Sequence, residues 1–367
     1  MKEMTSQRLR SLDILRGLTI ILMIVVNDPG SWDHVYAPLL HAEWNGITPT
    51  DYVFPSFLFI VGVSIVLSLN KQIDSGKSRA AIAKKVLWRA FKIYAVGIFL
   101  WLWPSFNFEG IRWVGVLPRI AFVFLACALI FLYTSKKTQA YMGIGILLGY
   151  WIIMAYLPVP GIGTPDLSIP EKNWAHYIDG LLLPGRLWQH TWDPEGILST
   201  LPAIVNGLIG MLAGYILLQK VELKNKLNQL FFLGFVFLVL GDVMQWFFPF
   251  NKNLWSSSFT LFTGGASMLA LAAFSYFFDV RQSQYQFQFA HVFGVNSIFA
   301  YSLSSLLVVV FYSSKWWGFS LSQKFMELCE STGLPLKFGS FLYAVSYVFV
   351  IWIPTYYLFK KKIYIKL

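Results

Sequence analysis

Residues 39 to 55 read LLHAEWNGITPTDYVFP, which sets His41, Glu43, Trp44, Asn45 and Asp51 in a short polar interruption between two apolar runs. A neutral imidazole with a carboxylate partner is the ordinary general base near neutral pH, so His41 with Asp51 is the first candidate for proton transfer. Asn27 ends the apolar run just before this stretch and joins the candidate group. Plainer alternatives are a solvated loop histidine and an aspartate that merely caps the second helix, where a carboxylate is favoured electrostatically. Asp13 and Arg16, three apart, can pair on one helix face. Arg119 and Asp242 fall at or inside apolar runs, where a charge costs roughly 3 kcal/mol on insertion scales unless it is paired or solvated. No metal is expected, because the five histidines and two cysteines, Cys127 in an apolar run and Cys329 in a loop, form no zinc-binding spacing.

These residues need a scaffold, and the composition dictates its class. With 56% hydrophobic, 18% aromatic and only 13% charged residues in 367, the chain has more apolar surface than a soluble core can bury. An all-α polytopic membrane protein is predicted. A hydrocarbon core of about 30 Å takes about 20 residues of helix. On that measure ten spans are expected, near 11–27, 51–69, 86–104, 114–133, 139–157, 197–219, 229–248, 255–278, 289–312 and 339–359. Basic residues precede the first run without a small-residue cleavage site after it, so that run is expected to be a retained helix. Alternating the loops places 21 of the 29 Lys and Arg residues on the side of both termini and leaves eight, Arg112 and Lys252 among them, as charges of the opposite side, which predicts that the termini are cytoplasmic. The net charge of +11 thereby reads as topology, and nucleic acid is not expected as a partner. The chain is expected to be one transmembrane domain over 1–367, with the long outer loop 158–196 an ordered irregular cap. The absence of an N-x-[ST] sequon points to a bacterial inner membrane.

Seven blocks, in order along the chain, carry a resemblance. They are RLRSLDILRGLTIILMIVVN, LLHAEWNGITPTDYVFPSFLFIVGVSI, IRWVGVLPRIAF, DPEGIL, NKNLWS, GVNSI and the terminal KKKIYIKL. Together they resemble the heparan-alpha-glucosaminide N-acetyltransferase family. The resemblance implies acetyl transfer from cytosolic acetyl-CoA to the amine of an amino sugar, terminal glucosaminide-like, on the outer side of the membrane. It implies a bacterial-type member without the additional luminal domain and preceding helix of members resembling the lysosomal enzyme. It puts the active-site histidine on His41, the helix-end asparagine on Asn27 and the acidic partner on Asp51. Pocket-shaping roles are implied for Trp44, Asn45, Arg119, Asp193, Glu195, Asn251, Asn253, Trp255, Asn296 and Ser297. The partners expected are acetyl-CoA, an amino-sugar or glycan acceptor and the lipid bilayer, and a homodimer is admitted.

On this reading His41 takes the amine proton and Asp51 fixes its tautomer and stabilises the imidazolium. Asn27 or Asn45 then serves as oxyanion donor. His41 as a covalent acyl carrier is the other route. The R-x-L-D-x-L-R-G start is also similar to broader membrane O-acyltransferases acting on surface or periplasmic sugars. Asn206, Asn296 and Asp242 inside apolar runs are the features a non-enzymatic transporter would use.

Overall fold

The computed structural model describes residues 9–281 and 287–365, and among these it has thirteen α-helices and no named strand. The helices are α1 (Arg10–Asn27), α2 (Val53–Asp74), α3 (Arg79–Leu102), α4 (Val116–Tyr133), α5 (Lys136–Tyr156), α6 (Trp174–Leu182), α7 (Thr200–Leu218), α8 (Leu223–Met244), α9 (Ser257–Ser275), α10 (Gln288–Val295), α11 (Ser297–Tyr312), α12 (Leu321–Ser331) and α13 (Leu336–Lys360). Several starts are set by a side chain that accepts the backbone N–H three residues on: Ser78 from Ala81, Ser135 from Thr138, Asn173 from His176 and Ser320 from Gln323. Helices cover all ten expected segments. Seven are long and apolar enough to cross a membrane, or eight if the bent pair α10 and α11 is one crossing, and the chain is a multi-pass membrane protein. The helices α1 and α3 miss that measure because Arg10, Asp13 and Arg16, and Arg79 to Lys92, load them with charge.

Three expectations need amending. The segment 289–312 is not one straight helix, since α10 and α11 meet at Asn296 with a bend of 88°. The loop 158–196 is not irregular throughout, because it contains α6. Cys329, expected in a loop, is buried in α12, and both it and Cys127 are free thiols. Residues 1–8 and the last two of KKKIYIKL lie outside the described residues.

Two compact units divide the chain. The first draws on Met1–Leu39, Glu222–Phe231 and Leu269–Lys366. In it α1 packs against α10 so closely that a Cβ on Gly17 would strike the Ala290 carbonyl and one on Gly294 would strike that of Asp13. Arg16 Nη1 donates to Asp13 Oδ1 at 2.8 Å, as their spacing predicts. Asn296 donates to the Ile363 carbonyl at 3.1 Å and accepts from the Ile365 N–H at 3.0 Å, so it fastens the terminal KKKIYIKL segment.

The second unit takes Leu40–Val221 and Phe232–Met268 and contains nearly all the candidate site residues. Its axis is the pair α2 and α7. Lipid tails are as apolar as leucine, so membrane helices gain by close backbone approach through small residues. Here a Cβ on Gly62 would strike the Gly207 carbonyl, one on Gly210 would strike that of Phe59, and one on Gly214 would lie 2.8 Å from Val66 Cβ. The obstacles at Gly62 and Gly210 are backbone and cannot rotate away. Replacing Gly62 with Val is therefore expected to destabilise the protein by about 1–3 kcal/mol, read as a lower melting temperature in detergent. Gly145→Ala on α5, with nothing within 4 Å, should leave it unchanged. Equal melting temperatures for Gly62→Val and wild type would contradict this packing.

Candidate active site

The sequence Thr48-Pro49-Thr50-Asp51 starts a 3-10 turn that leads directly into α2. Pro at the first helical position has a preset φ and no N–H to leave unsatisfied. Asp51 and Thr48 form a reciprocal capping box. Asp51 Oδ2 accepts from the Thr48 N–H at 2.8 Å, the Thr48 hydroxyl at 3.1 Å and the Ala42 N–H at 3.2 Å. Its other oxygen, Oδ1, lies 2.6 Å from His41 Nδ1. The carboxylate side chain is 0% exposed and the imidazole 43% exposed. The cap and the histidine partner, alternatives in the sequence, are two edges of one carboxylate. Since the carboxylate only accepts, Nδ1 carries the hydrogen, and in the neutral ring Nε2 therefore keeps its lone pair.

The histidine loop is tied down on two sides. Gly46 N–H donates to the Phe250 carbonyl at 2.7 Å, and Asn251 Nδ2 donates to Asn45 Oδ1 at 3.1 Å. Trp44 Nε1 and Asn45 Nδ2 both donate to the Leu167 carbonyl, at 2.8 and 3.1 Å, while the Trp44 ring packs edge-on against Trp192. Asn251 also accepts the Leu254 N–H at 2.8 Å, which shapes the NKNLWS turn. Within it Asn253 is partly buried, and Trp255 is fully buried with φ +53°, a left-handed conformation costly for a bulky residue. Trp255 is held there by its indole N–H on Asn206 Oδ1 at 2.7 Å and by edge contacts with Phe54 and Phe259.

A second cluster surrounds Asp193 and Glu195. Arg112 donates to Asp193 through Nε and Nη2, at 2.7 and 2.6 Å, and to Glu195 Oε2 at 2.6 Å, with its guanidinium over the Trp188 ring. Burial opposes the Arg112 charge, but the hydrogen bonds to Asp193 and the charges of both carboxylates outweigh it and hold the cation more firmly than usual. Arg119 is buried against the Trp255 ring, with Nη2 on the Gly196 carbonyl at 3.1 Å and on the Ser199 hydroxyl. Its Nε and Nη1 have no partner among the described residues, so they can serve a ligand oxygen. Lys252 Nζ lies 3.1 Å from His41 Nε2 and 3.4 Å from Nδ1.

The structure thus gathers His41, Asp51, Trp44, Asn45, Arg119, Asp193, Glu195, Asn251, Asn253 and Trp255 into one unit. Asn27 lies exposed at the end of α1, and Asn296 and Ser297 lie at the α10–α11 break, all in the other unit. Sequence reading missed Arg112 and Lys252, which it took as topology charges. It missed Asp179 as well. Asn206 and Asn296, the polar groups a transporter would use, are engaged by Trp255 and by the terminal segment, and Asp242 is exposed beside Gln245. Among the described residues no group of three or more His, Cys, Asp or Glu is arranged for a metal ion.

Fold and site together define a multi-pass helical membrane protein with a carboxylate-backed histidine, the equipment for acid–base chemistry at a membrane. The chain belongs to the heparan-alpha-glucosaminide N-acetyltransferase catalytic family, whose model matches residues 8–243. The protein of that name from Homo sapiens is 32% identical over 350 residues, covering 80% of this chain and 52% of the human protein. The one from Mus musculus is 31% identical over 312 residues, covering 70% of this chain and 47% of its own length. The chain spans about half the length of these curated relatives. His41, Asp51, Arg112, Arg119 and Asp193 lie within the matched residues, whereas Lys252 lies beyond them.

Asp179 gives this site a pH signature. It is buried on α6, accepts the Ile197 N–H at 2.9 Å, and sits where a Cβ on Gly196 would be. Burial pushes its carboxyl up to about 7, against the pull of the Ile197 N–H and with the added push of Asp193. The folded protein therefore holds this proton more tightly than the unfolded chain, where a carboxyl titrates near 4. Its contribution to stability is full below that value and is lost as the pH rises towards 7. Between pH 4 and 7 the wild type should lose melting temperature relative to Asp179→Asn. A constant difference between the two across that range would contradict the assignment.

Proposed function

We infer that this chain is a transmembrane acetyltransferase that moves the acetyl group of cytosolic acetyl-CoA to the amine of an amino sugar on the outer side of a bacterial inner membrane. The observation that carries the reading is the His41–Asp51 pair, 2.6 Å apart in a segment matched by the family model. Acyl transfer to an amine needs a base that takes the proton as the bond forms. The Nδ1–H on Asp51 leaves His41 Nε2 for that task, on a half-exposed ring that a substrate can reach. Asp51 stabilises the imidazolium that results.

The other residues support the reading by their placement. Arg119 brings two unpartnered N–H groups to bear on acceptor or thioester oxygens. The Arg112 clamp on Asp193 and Glu195, with the Trp44 to Trp192 contact, keeps the loop walls rigid around the histidine. We place ten crossings in the bilayer with both termini cytoplasmic, the arrangement that puts 21 of 29 basic residues inside and the loops of His41 and Lys252 outside. Asn27 and Asn296 with Ser297 are carried as further site residues on the strength of the resemblance alone.

Purified protein with labelled acetyl-CoA and glucosamine, followed by mass spectrometry, tests this directly. N-acetylglucosamine is expected, and His41→Ala should lower its formation by roughly 10²- to 10⁴-fold, the usual contribution of a positioned base. His176→Ala and His190→Ala should retain most activity. A His41→Ala rate within about tenfold of wild type, or products acetylated only on hydroxyls, would overturn the reading.

A further inference from the structure

Lys252 is a cation in an unusual setting. It projects from the turn Asn251 to Ser256, and its carbonyl accepts the Trp255 N–H at 3.1 Å, so the strained Trp255 backbone fixes the point from which the side chain leaves. Among the described residues its ammonium has close polar contacts only with the two His41 nitrogens, and no carboxylate lies within ion-pair distance. Being almost equidistant from both nitrogens, at 3.1 and 3.4 Å, it lies across the face of the imidazole and not in line with the Nε2 lone pair. That lone pair stays open to an acceptor.

This geometry points to a direct part for Lys252 in acyl transfer: we propose that its ammonium donates a hydrogen bond to the oxygen of the tetrahedral intermediate beside His41. The inference rests on the acetyl-transfer reading. An amine aligned on Nε2 attacks a carbonyl carbon at about 3–3.5 Å. The carbonyl oxygen then falls within reach of a donor on a flexible four-carbon stem anchored 3.1 Å from the same nitrogen. As the C–N bond forms, the amine proton passes to His41 Nε2 and the carbonyl π pair moves onto oxygen, where Lys252 holds it. When the C–S bond breaks, that pair re-forms the carbonyl and the thiolate of CoA takes the proton from His41. The products are the N-acetylated amine and CoA thiol, with Lys252 unchanged.

The charged neighbours fit a cation that must persist yet respond to pH. Burial lowers the Lys252 pKa, and Arg119 and Arg112 act in the same sense, while Glu195 and Asp51 oppose them. Facing these groups and His41, Lys252 loses its proton at lower pH than a surface lysine, and an alkaline limb of the kcat profile should report that loss.

The test uses Lys252→Cys in the full chain, assayed with acetyl-CoA and glucosamine before and after alkylation with bromoethylamine. The two native cysteines are buried, and treated wild type serves as the control. The free-cysteine form should lose roughly 10²- to 10³-fold in kcat, as for removal of one oxyanion donor, with the KM for acetyl-CoA little changed. Aminoethylation restores an amine whose neighbouring thioether makes it less basic, so activity should return with the alkaline limb displaced to lower pH. A free-cysteine form within tenfold of wild type, or recovery with an unmoved limb, would overturn the inference while leaving the acetyl-transfer reading standing. No acetyl transfer by the wild type would overturn both.

Discussion

The site depends on the carboxylate of Asp51. A carboxylate with no exposed surface is tolerated only when its oxygens are filled with hydrogen bonds. Here Oδ2 takes two donors from Thr48, at the turn that begins α2, and one from the Ala42 N–H beside His41, and Oδ1 takes the imidazole. The same group that lets the helix start also fixes the histidine ring. Neither role can be altered alone, because the Thr48 and Ala42 N–H groups orient the carboxylate that orients His41.

Rigidity propagates outward from that point. The loop of His41 is pinned to the NKNLWS turn through Asn45 and Asn251, and to the 158–173 segment through Trp44 and Asn45. The NKNLWS turn is held by a tryptophan in a costly backbone conformation, which persists because its ring and indole N–H are fully engaged by Phe54, Phe259 and Asn206. Charge is handled by two devices in the same unit. Arg112 is matched by two carboxylates, whereas Arg119 keeps unpartnered N–H groups. The contrast separates a cation fully matched by acids from one buried with two N–H groups unpartnered among the described residues.

Much of this was legible in the sequence. Apolar runs of about 20 residues marked the membrane-spanning helices, and T-P-T-D beside HAEWNG marked both the cap and its histidine partner. What escaped were pairings across long separations. Lys252 reads as one more loop charge until the fold brings it 211 positions back to His41. Arg112 is likewise a topology charge until Asp193 and Glu195 arrive from 81 and 83 residues away. The bend at Asn296 was hidden because Gly, Asn and Ser also occur within unbroken membrane helices, and its link to the terminal segment spans 67 residues. Periodicity and local spacing carry no information on such contacts.

In the proposed acetyl transfer, neutral His41 holds its hydrogen on Nδ1 against Asp51 and presents Nε2 as the base. Nitrogen-15 NMR of histidine-labelled protein in lipid nanodiscs, with the His41 signals assigned by their loss in His41→Gln, measures this directly. Neutral His41 is expected to show a protonated Nδ1 and an unprotonated Nε2. A neutral ring with its proton on Nε2 would contradict it.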